Sequence, residues 1–387
     1  MNNAVPSDTC KHIVIVTVID YMQASPSLLN TVSTLAQAGY QVDVVGLRTQ
    51  LALEWGEPNF ANPNVSLHLS SWNSQGLLLV RSLRFRLSVV RICRTRRPVA
   101  VIAISPEGLV VAGPIALALG IPLIHYSLEV RFPKDWLSRL QKRVEKILYR
   151  FVEFTIIQDE VRAQALLDSN GLSAAEMILV PNSVGPYRVQ ETRSSYLRQR
   201  WNLPVGQTII LYAGNITHWA LAQELAEAAR HWPANWILVI HGWAETPAYL
   251  EELRPLCDGR HTILSEEFVP HGKLDDLVSS ADIGIALYRG IDRNMHDMGL
   301  SSGKMWQYLR CGLPVVMTDL PSLQPILDEG KFGLCVHQAE EVQVAIEQIM
   351  SDYAGYAARA CEYYRRYGDF AENFKPVLAR VEALCGR

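Results

Sequence analysis

Residues 299–319 read Gly-Leu-Ser-Ser-Gly-Lys-Met-Trp-Gln-Tyr-Leu-Arg-Cys-Gly-Leu-Pro-Val-Val-Met-Thr-Asp. Ser301, Ser302 and Gly303 make a small, polar lead-in. Behind them Met305, Trp306, Tyr308 and Leu309 recur at helical spacing until Gly312 and Pro314 stop the pattern, and residues 315–317 then read as a buried strand. The spacing predicts a helix that begins near Ser302 and feeds a sheet. The first N–H groups of such a helix have no partners within it and carry the positive end of its dipole, so they suit a phosphate. Lys304 adds a cation in the first turn, where it opposes the dipole unless a bound anion offsets it. An ordinary capped helix with a solvated lysine is the competing reading. A Walker A loop is excluded: Gly299 to Gly303 is one residue short, and Met305 stands where a metal-binding Ser or Thr is required.

The same beat of apolar strand and helix runs along the chain. Strands are expected at 13–19, 42–47, 99–104 and 123–125, with helices at 26–38 and 107–119 closed by Gly39 and Gly120. After a polar, turn-rich stretch, strands are expected again at 209–213, 236–240, 283–287 and 315–317. Continuous rather than alternating apolarity marks strands buried on both faces, as in a parallel sheet. The expected fold is therefore α/β, with two Rossmann-like, doubly wound parallel-sheet domains over 1–184 and 185–367, joined by a linker near 183–206. Doubly wound sheets bind ligands beyond the carboxyl ends of their strands, so the expected site is a cleft faced by both domains. No G-x-G-x-x-G follows the first strand, where Thr17-Val-Ile-Asp-Tyr-Met-Gln-Ala-Ser stands, which disfavours a dinucleotide dehydrogenase.

Composition narrows the class. At 387 residues with 49% hydrophobic and 19% charged residues, the chain has ample core for two domains and no apolar run of membrane-spanning length. The first apolar stretch is strand-sized and no cleavage site follows it, so neither a signal peptide nor an anchor helix is expected. The seven cysteines, from Cys10 to Cys385, are scattered and never in a C-x-x-C pair, which fits a reducing cytoplasm and no structural zinc. Charge is unevenly placed. Residues 81–97 hold seven arginines and no acid, and 131–150 hold seven basic residues against Asp135 and Glu145. Basic amphipathic helices of this kind suit an anionic membrane surface, while solvated faces of an α/β domain are the plainer reading. Nucleic acid is not an expected partner, because no aromatic platform is interleaved with these charges.

Lys304-Met-Trp-Gln-Tyr-Leu-Arg-Cys-Gly-Leu-Pro-Val-Val resembles the K-x-x-E-Y-x-x-x-G-x-P-V-V signature of family 4 glycosyltransferases, which have the two-domain GT-B fold. The resemblance extends over nearly the whole chain. Residues 25–44, from Ser25-Pro-Ser to Val42-Asp-Val, resemble the family's opening loop and helix, and Val180-Pro-Asn-Ser-Val is similar to its approach to the hinge. Leu211-Tyr-Ala-Gly-Asn-Ile resembles the first strand of the donor domain, and Ala281-Asp-Ile-Gly-Ile-Ala-Leu-Tyr the strand before the phosphate loop. The resemblance implies a C-terminal helix, 368–387, that crosses back to the N-terminal domain. It also implies transfer from a nucleotide-sugar donor to a glycan or lipid-linked glycan acceptor, with retention and no metal cofactor; no D-x-D occurs in the chain. The enzyme would be cytoplasmic and peripheral to the inner face of the membrane.

Transfer of this kind requires stabilising a diphosphate leaving group and a cationic sugar. The resemblance assigns the donor phosphates to Ser301, Ser302, Gly303 and Lys304, with Gly214, Asn215, Thr217 and His218 on the facing turn and Gln307 near the ribose. It places acceptor or acid/base work at the end of the strand over 123–125, where Glu129 supplies the acid and His125, three residues before the family's histidine position, is the candidate histidine, with a satisfied core histidine as its plainer reading. Three positions depart from the pattern. Gln307 replaces the ribose-binding glutamate, Leu128 the catalytic histidine, and Ala220 lies where a basic residue is usual. These departures keep two other readings open, a binding subunit without transfer activity and a sugar-nucleotide 2-epimerase.

Overall fold

The computed structural model describes residues 11–19, 22–48, 56–58, 60, 62–71, 78–185, 193–244 and 246–385. The chain divides into two compact units. Unit 1 runs to Val180 and takes in the chain again from Ala371, and unit 2 spans Pro181–Phe370.

Unit 1 is built on β1 (His12–Val16), β2 (Gln41–Arg48), β3 (Val65–Ser71), β4 (Ala100–Ile104), β5 (Leu123–Tyr126), β6 (Val152–Ile157) and β7 (Met177–Leu179). All pair in parallel in the order β3-β2-β1-β4-β5-β6-β7. The order reverses between β1 and β4, the switch point of a doubly wound sheet. β4 and β5 are buried at every residue, as strands covered on both faces must be. Helices α1 (Pro26–Gln37), α2 (Leu78–Arg96), α3 (Ser105–Leu119), α4 (Trp136–Tyr149) and α5 (Glu160–Asn170) connect them. α1 gives way at Gly39 (φ 89°), and α3 and α5 end at Gly120 and Gly171, both left-handed. Asp135 starts α4 with a capping box, accepting from Ser138 N at 2.8 Å while Ser138 Oγ accepts from Asp135 N at 3.0 Å.

Unit 2 repeats the plan with β8 (Thr208–Ala213), β9 (Trp236–His241), β10 (Thr262–Ser265), β11 (Ile283–Ala286), β12 (Val315–Thr318) and β13 (Gly333–Val336), parallel in the order β10-β9-β8-β11-β12-β13. Its helices are α6 (Tyr196–Trp201), α7 (Ala222–Ala229), α8 (Pro247–Leu253), α9 (Leu274–Val278), α10 (Arg293–His296), α11 (Gly303–Arg310), α12 (Gln324–Gly330), α13 (Val342–Ser351) and α14 (Tyr353–Tyr367). The last helix, α15 (Phe370–Cys385), returns to unit 1. There Tyr40 Oη donates to Glu382 at 3.0 Å, Lys11 pairs with Glu382, and Arg380 with Glu176 at 2.7 Å.

Three features depart from the sequence reading. β3 and β6 escape it because their apolar residues are interrupted by Ser and His or by Glu153 and Thr155; β7, β10 and β13 escape as short runs of three or four residues. The expected linker is in part a packed helix, α6, whose Leu197 is fully buried. Residues 186–192 of that linker lie outside the described residues.

Candidate active site

In unit 2 the carboxyl ends of β8 and β11 meet the N-terminus of α11, and one side chain fixes the three together. Tyr308 Oη accepts from Ala213 N at 2.8 Å and donates to Ile285 O at 3.1 Å. Its ring lies so close to β11 that a Cβ at Gly284 would stand 2.4 Å from it. Tyr308→Phe therefore leaves a buried N–H without an acceptor and is expected to cost about 1–3 kcal/mol in chemical denaturation.

Helix α11 begins at Gly303, with Ser302 as its cap. Ser302 Oγ accepts from Met305 N at 3.3 Å and bonds Tyr288 Oη at 2.7 Å. The preceding turn is tied from several sides. Asn182 donates its N to Leu300 O and its Nδ2 to Ser301 O, both at 3.0 Å. Trp306 Nε1 donates to Leu300 O at 2.9 Å, and Ser322 Oγ accepts from Gly299 N at 3.2 Å. The Ser301 hydroxyl turns back to Met298 O, so this serine offers an anion backbone rather than side chain. A helix start held this rigidly presents its N–H groups without further ordering cost.

Lys304 is the centre of the arrangement. Its Nζ sits 3.8 Å from the centre of the Tyr212 ring and 5.4 Å from that of Tyr288, buried and without a hydrogen-bond partner. Burial alone pushes its pKa down to about 7. Its stem crosses Gly214, where a Cβ would stand 2.7 Å from Lys304 Cε. Two more buried polar atoms of the same turn, Asn215 Oδ1 and Thr217 Oγ1, also lack partners. Buried polar atoms are normally satisfied, so an ammonium and a hydroxyl left without partners among the described residues beside a helix start offer the donors that suit an anion. Gly214, Asn215, Thr217, Ser302, Gly303 and Lys304 are thus brought together, with Ser301 just behind them.

Other expected residues fall elsewhere. His218 is exposed and rests its ring against Tyr249 of α8, 4.1 Å between centres. Gln307 is buried and turned to α9, its Nε2 donating to Asp275 at 2.8 Å beside an Arg310–Asp275 ion pair at 3.1 Å. Its amide nitrogen ties α11 to α9, while its Oε1 has no partner among the described residues. His125 is a core residue. It lies inside β5, fully buried and edge-on to Tyr149, and desolvation lowers its pKa to about 3. A neutral ring sealed from solvent does no acid/base work. Glu129 is exposed in the loop after β5, beyond the carboxyl edge of the unit 1 sheet. Gln158 and Arg162 hold that loop through Ser127 O and Leu128 O at 2.8 and 2.7 Å. Among the described residues no group of three or more His, Cys, Asp or Glu is placed to hold a metal.

Sequence reasoning missed Asn182, which reads only as part of a hinge-like motif yet holds the turn before α11. It also missed Leu221, in the left-handed region (φ 55°) between the His218–Ala220 turn and α7, where a non-glycine residue is strained. Neither has a local signal.

Residues 24–183 match the family model of a glycosyl transferase 4-like domain, and residues 207–352 that of glycosyl transferases group 1. The chain belongs to the family 4-like, group 1 glycosyltransferases. Solved structures place this glycosyltransferase in the GT-B fold. Anabaena HepE, crystallised with UDP and glucose, superposes with a TM-score of 0.73 at 15% identity, over 96% of this chain and 100% of its own. Sucrose-phosphate synthase from Thermosynechococcus elongatus gives 0.71 at 16% identity, over 96% and 99%. WaaG, a glycosyltransferase involved in lipopolysaccharide biosynthesis, gives 0.65 at 14%, over 97% and 100%. No curated protein matches the glycosyltransferase by sequence.

Proposed function

We propose that this glycosyltransferase moves a sugar from a nucleoside diphosphate donor to a glycan or lipid-linked glycan, with retention of anomeric configuration and without a metal ion. The observation that carries the reading is Lys304, whose buried Nζ has no hydrogen-bond acceptor among the described residues, at a helix start with open N–H groups. Both recognise a diphosphate, and both strengthen as charge develops on its leaving oxygen. HepE was crystallised with UDP and with UDP-glucose, which supports a uridine diphosphate donor here.

In the retaining route the C1–O bond to the diphosphate breaks and the acceptor oxygen bonds C1 on the same face. The acceptor proton passes to the departing phosphate oxygen, so no protein base is needed. This accommodates Leu128 and the buried His125. Glu129 serves as a contact for acceptor or sugar hydroxyls. The dispersed free cysteines suit a reducing cytoplasm, and a lipid-linked acceptor places the work at the inner face of a membrane.

Incubation with UDP-, GDP- and ADP-sugars in EDTA, with and without a lipid-linked glycan fraction, tests the reading. The expected result is acceptor-dependent release of one nucleoside diphosphate and, by NMR, a product of the donor's anomeric configuration. A 2-epimerised sugar nucleotide formed without acceptor overturns it in favour of an epimerase. Tight nucleotide binding with no turnover overturns it in favour of a binding subunit.

A further inference from the structure

Lys304 meets ring faces where a buried ammonium ordinarily meets a carboxylate. Its Nζ lies 3.8 Å from the centre of the Tyr212 ring and 5.4 Å from that of Tyr288, both within reach of a cation–π attraction. Both tyrosines are buried. Desolvation is the one cause acting on the lysine's pKa, so no charged side chain faces it closely enough to shift it. The kind of partner has a chemical consequence. A carboxylate here would cancel the charge before an anion could use it, whereas the negative face of a ring holds the ammonium and leaves its net charge intact.

The hydroxyl ends of the same two rings reach the two backbone segments beside the lysine. Tyr212 stands one residue before the end of β8, and its Oη donates to Asn215 O in the turn that follows. Tyr288 lies just past β11, where its backbone N donates to Thr318 Oγ1 at 2.8 Å. Its Oη bonds Ser302 Oγ, the cap of α11, at 2.7 Å, and the Trp219 ring stacks on it with 6.3 Å between centres. Each tyrosine thus touches the ammonium with its face and a backbone segment with its oxygen. Rigid rings, not flexible chains, set the distance from the cation to the Gly214 turn on one side and to the start of α11 on the other.

We propose that Tyr212 and Tyr288 are positioning residues for the donor diphosphate: their ring faces hold the Lys304 ammonium, still carrying its charge, in register with the Gly214 turn and the first N–H groups of α11. This duty rests on the diphosphate reading of the site and adds to it the groups that aim its cation. Both tyrosines act through Lys304 and the backbone.

Fluorination separates the π face of a ring from the space it fills. The full chain is made with Tyr212→Phe and with Tyr212→trifluorophenylalanine, two rings of nearly equal shape of which the second has lost most of its negative face. The Lys304 pKa in ligand-free protein, read by NMR of isotope-labelled lysine side chains and assigned by its loss in Lys304→Met, should be lower by about one pH unit in the fluorinated protein. UDP affinity should then differ by less than about twofold at pH 5.5, where both lysines are charged, and by about tenfold at pH 8, where the fluorinated protein holds fewer charged lysines. Tyr288→Phe keeps the face and loses the bond to Ser302, so it should weaken UDP about fivefold at both pH values. All three variants keep a ring in place and should fold, checked by a cooperative melting transition. Equal lysine pKa values in the two position-212 variants would show that this ring only fills space, and would overturn the proposal. Tighter UDP binding by the fluorinated protein at pH 5.5 overturns it too, because the ammonium then leaves the ring to meet the phosphates. Undiminished binding by Tyr288→Phe does the same. A lysine pKa that falls as expected, in a protein whose wild type binds no nucleoside diphosphate, overturns the donor reading and with it the duty of the two rings.

Discussion

Lys304→Met is expected to abolish binding of nucleoside diphosphates and, at the same time, to raise the melting midpoint of the ligand-free protein. The two effects have one cause. Lys304 Nζ is buried against Tyr212 and Tyr288 with no hydrogen-bond acceptor among the described residues, so its charge carries an uncompensated desolvation cost. Methionine keeps the stem over Gly214 and removes the charge, a change of the kind that is neutral to stabilising in a core. A gain of about 1–2 kcal/mol corresponds to roughly 2–8 °C for a unit of this size. Loss of the cation should weaken UDP by about a hundredfold or more, as for other charged contacts in closed sites. A thermal-shift titration of both proteins reads both effects, and a variant that keeps the wild-type UDP shift would remove Lys304 from the site.

The same lysine dictates a pH dependence. Its folded pKa is depressed to about 7 from 10.5, so between these values the unfolded chain binds more protons than the folded one. The ligand-free protein therefore gains stability as pH rises from about 7 to 10.5 and loses it as pH falls back through 7. Binding shows the opposite trend. A diphosphate beside Nζ favours the ammonium, so binding above pH 7 takes up a proton and weakens as pH rises. Calorimetry at pH 8 in buffers of different ionisation enthalpy should register this uptake in wild type and not in Lys304→Met. Equal heats in all buffers would show that Lys304 does not change protonation on binding.

Gly242→Ala should be the most destabilising small substitution near the site. Gly242 follows β9 with φ +152°, and a Cβ there would stand 1.8 Å from Gly214 O. Alanine must push the Gly214 turn away, stretching Gly214 N to His241 O (2.9 Å) and Ile216 N to Trp243 O (2.8 Å). Strain and lost hydrogen bonds together come to about 4 kcal/mol, a fall on the order of 10 °C. UDP binding should fail even well below the new midpoint, because the same turn carries the Lys304 stem. Gly206→Ala is the control: Gly206 is exposed with open space around it, and its midpoint should barely move. Equal midpoints for the two variants would refute the close approach.

The periodicity of residues 303–310 and the stops at Gly39, Gly120 and Gly312 are local facts, and local physics sufficed to read them. Runs such as Val14–Val16 and Ile209–Leu211 announce buried parallel strands because burial on both faces leaves no polar position. The order of such runs carried the fold, and Ser302-Gly-Lys the start of α11. Strands β3 and β6 and the short β7, β10 and β13 were lost for want of length or continuous apolarity.

What sequence could not fix is the direction in which side chains face. Gln307 and His125 sit in motifs that suggest ligand contact, yet Asp275 claims the first and the interior of β5 encloses the second. Asn182 holds the turn before α11 across 119 residues of chain, a distance no window spans. The sequence determined the alternation of elements, the parallel sheets and the position of the cationic helix start, because propensity, turn chemistry and periodicity act between neighbours. Only the tertiary structure decided that Lys304 Nζ is buried against Tyr212 and Tyr288 and that Gln307 turns to Asp275, because both depend on which distant surfaces pack together.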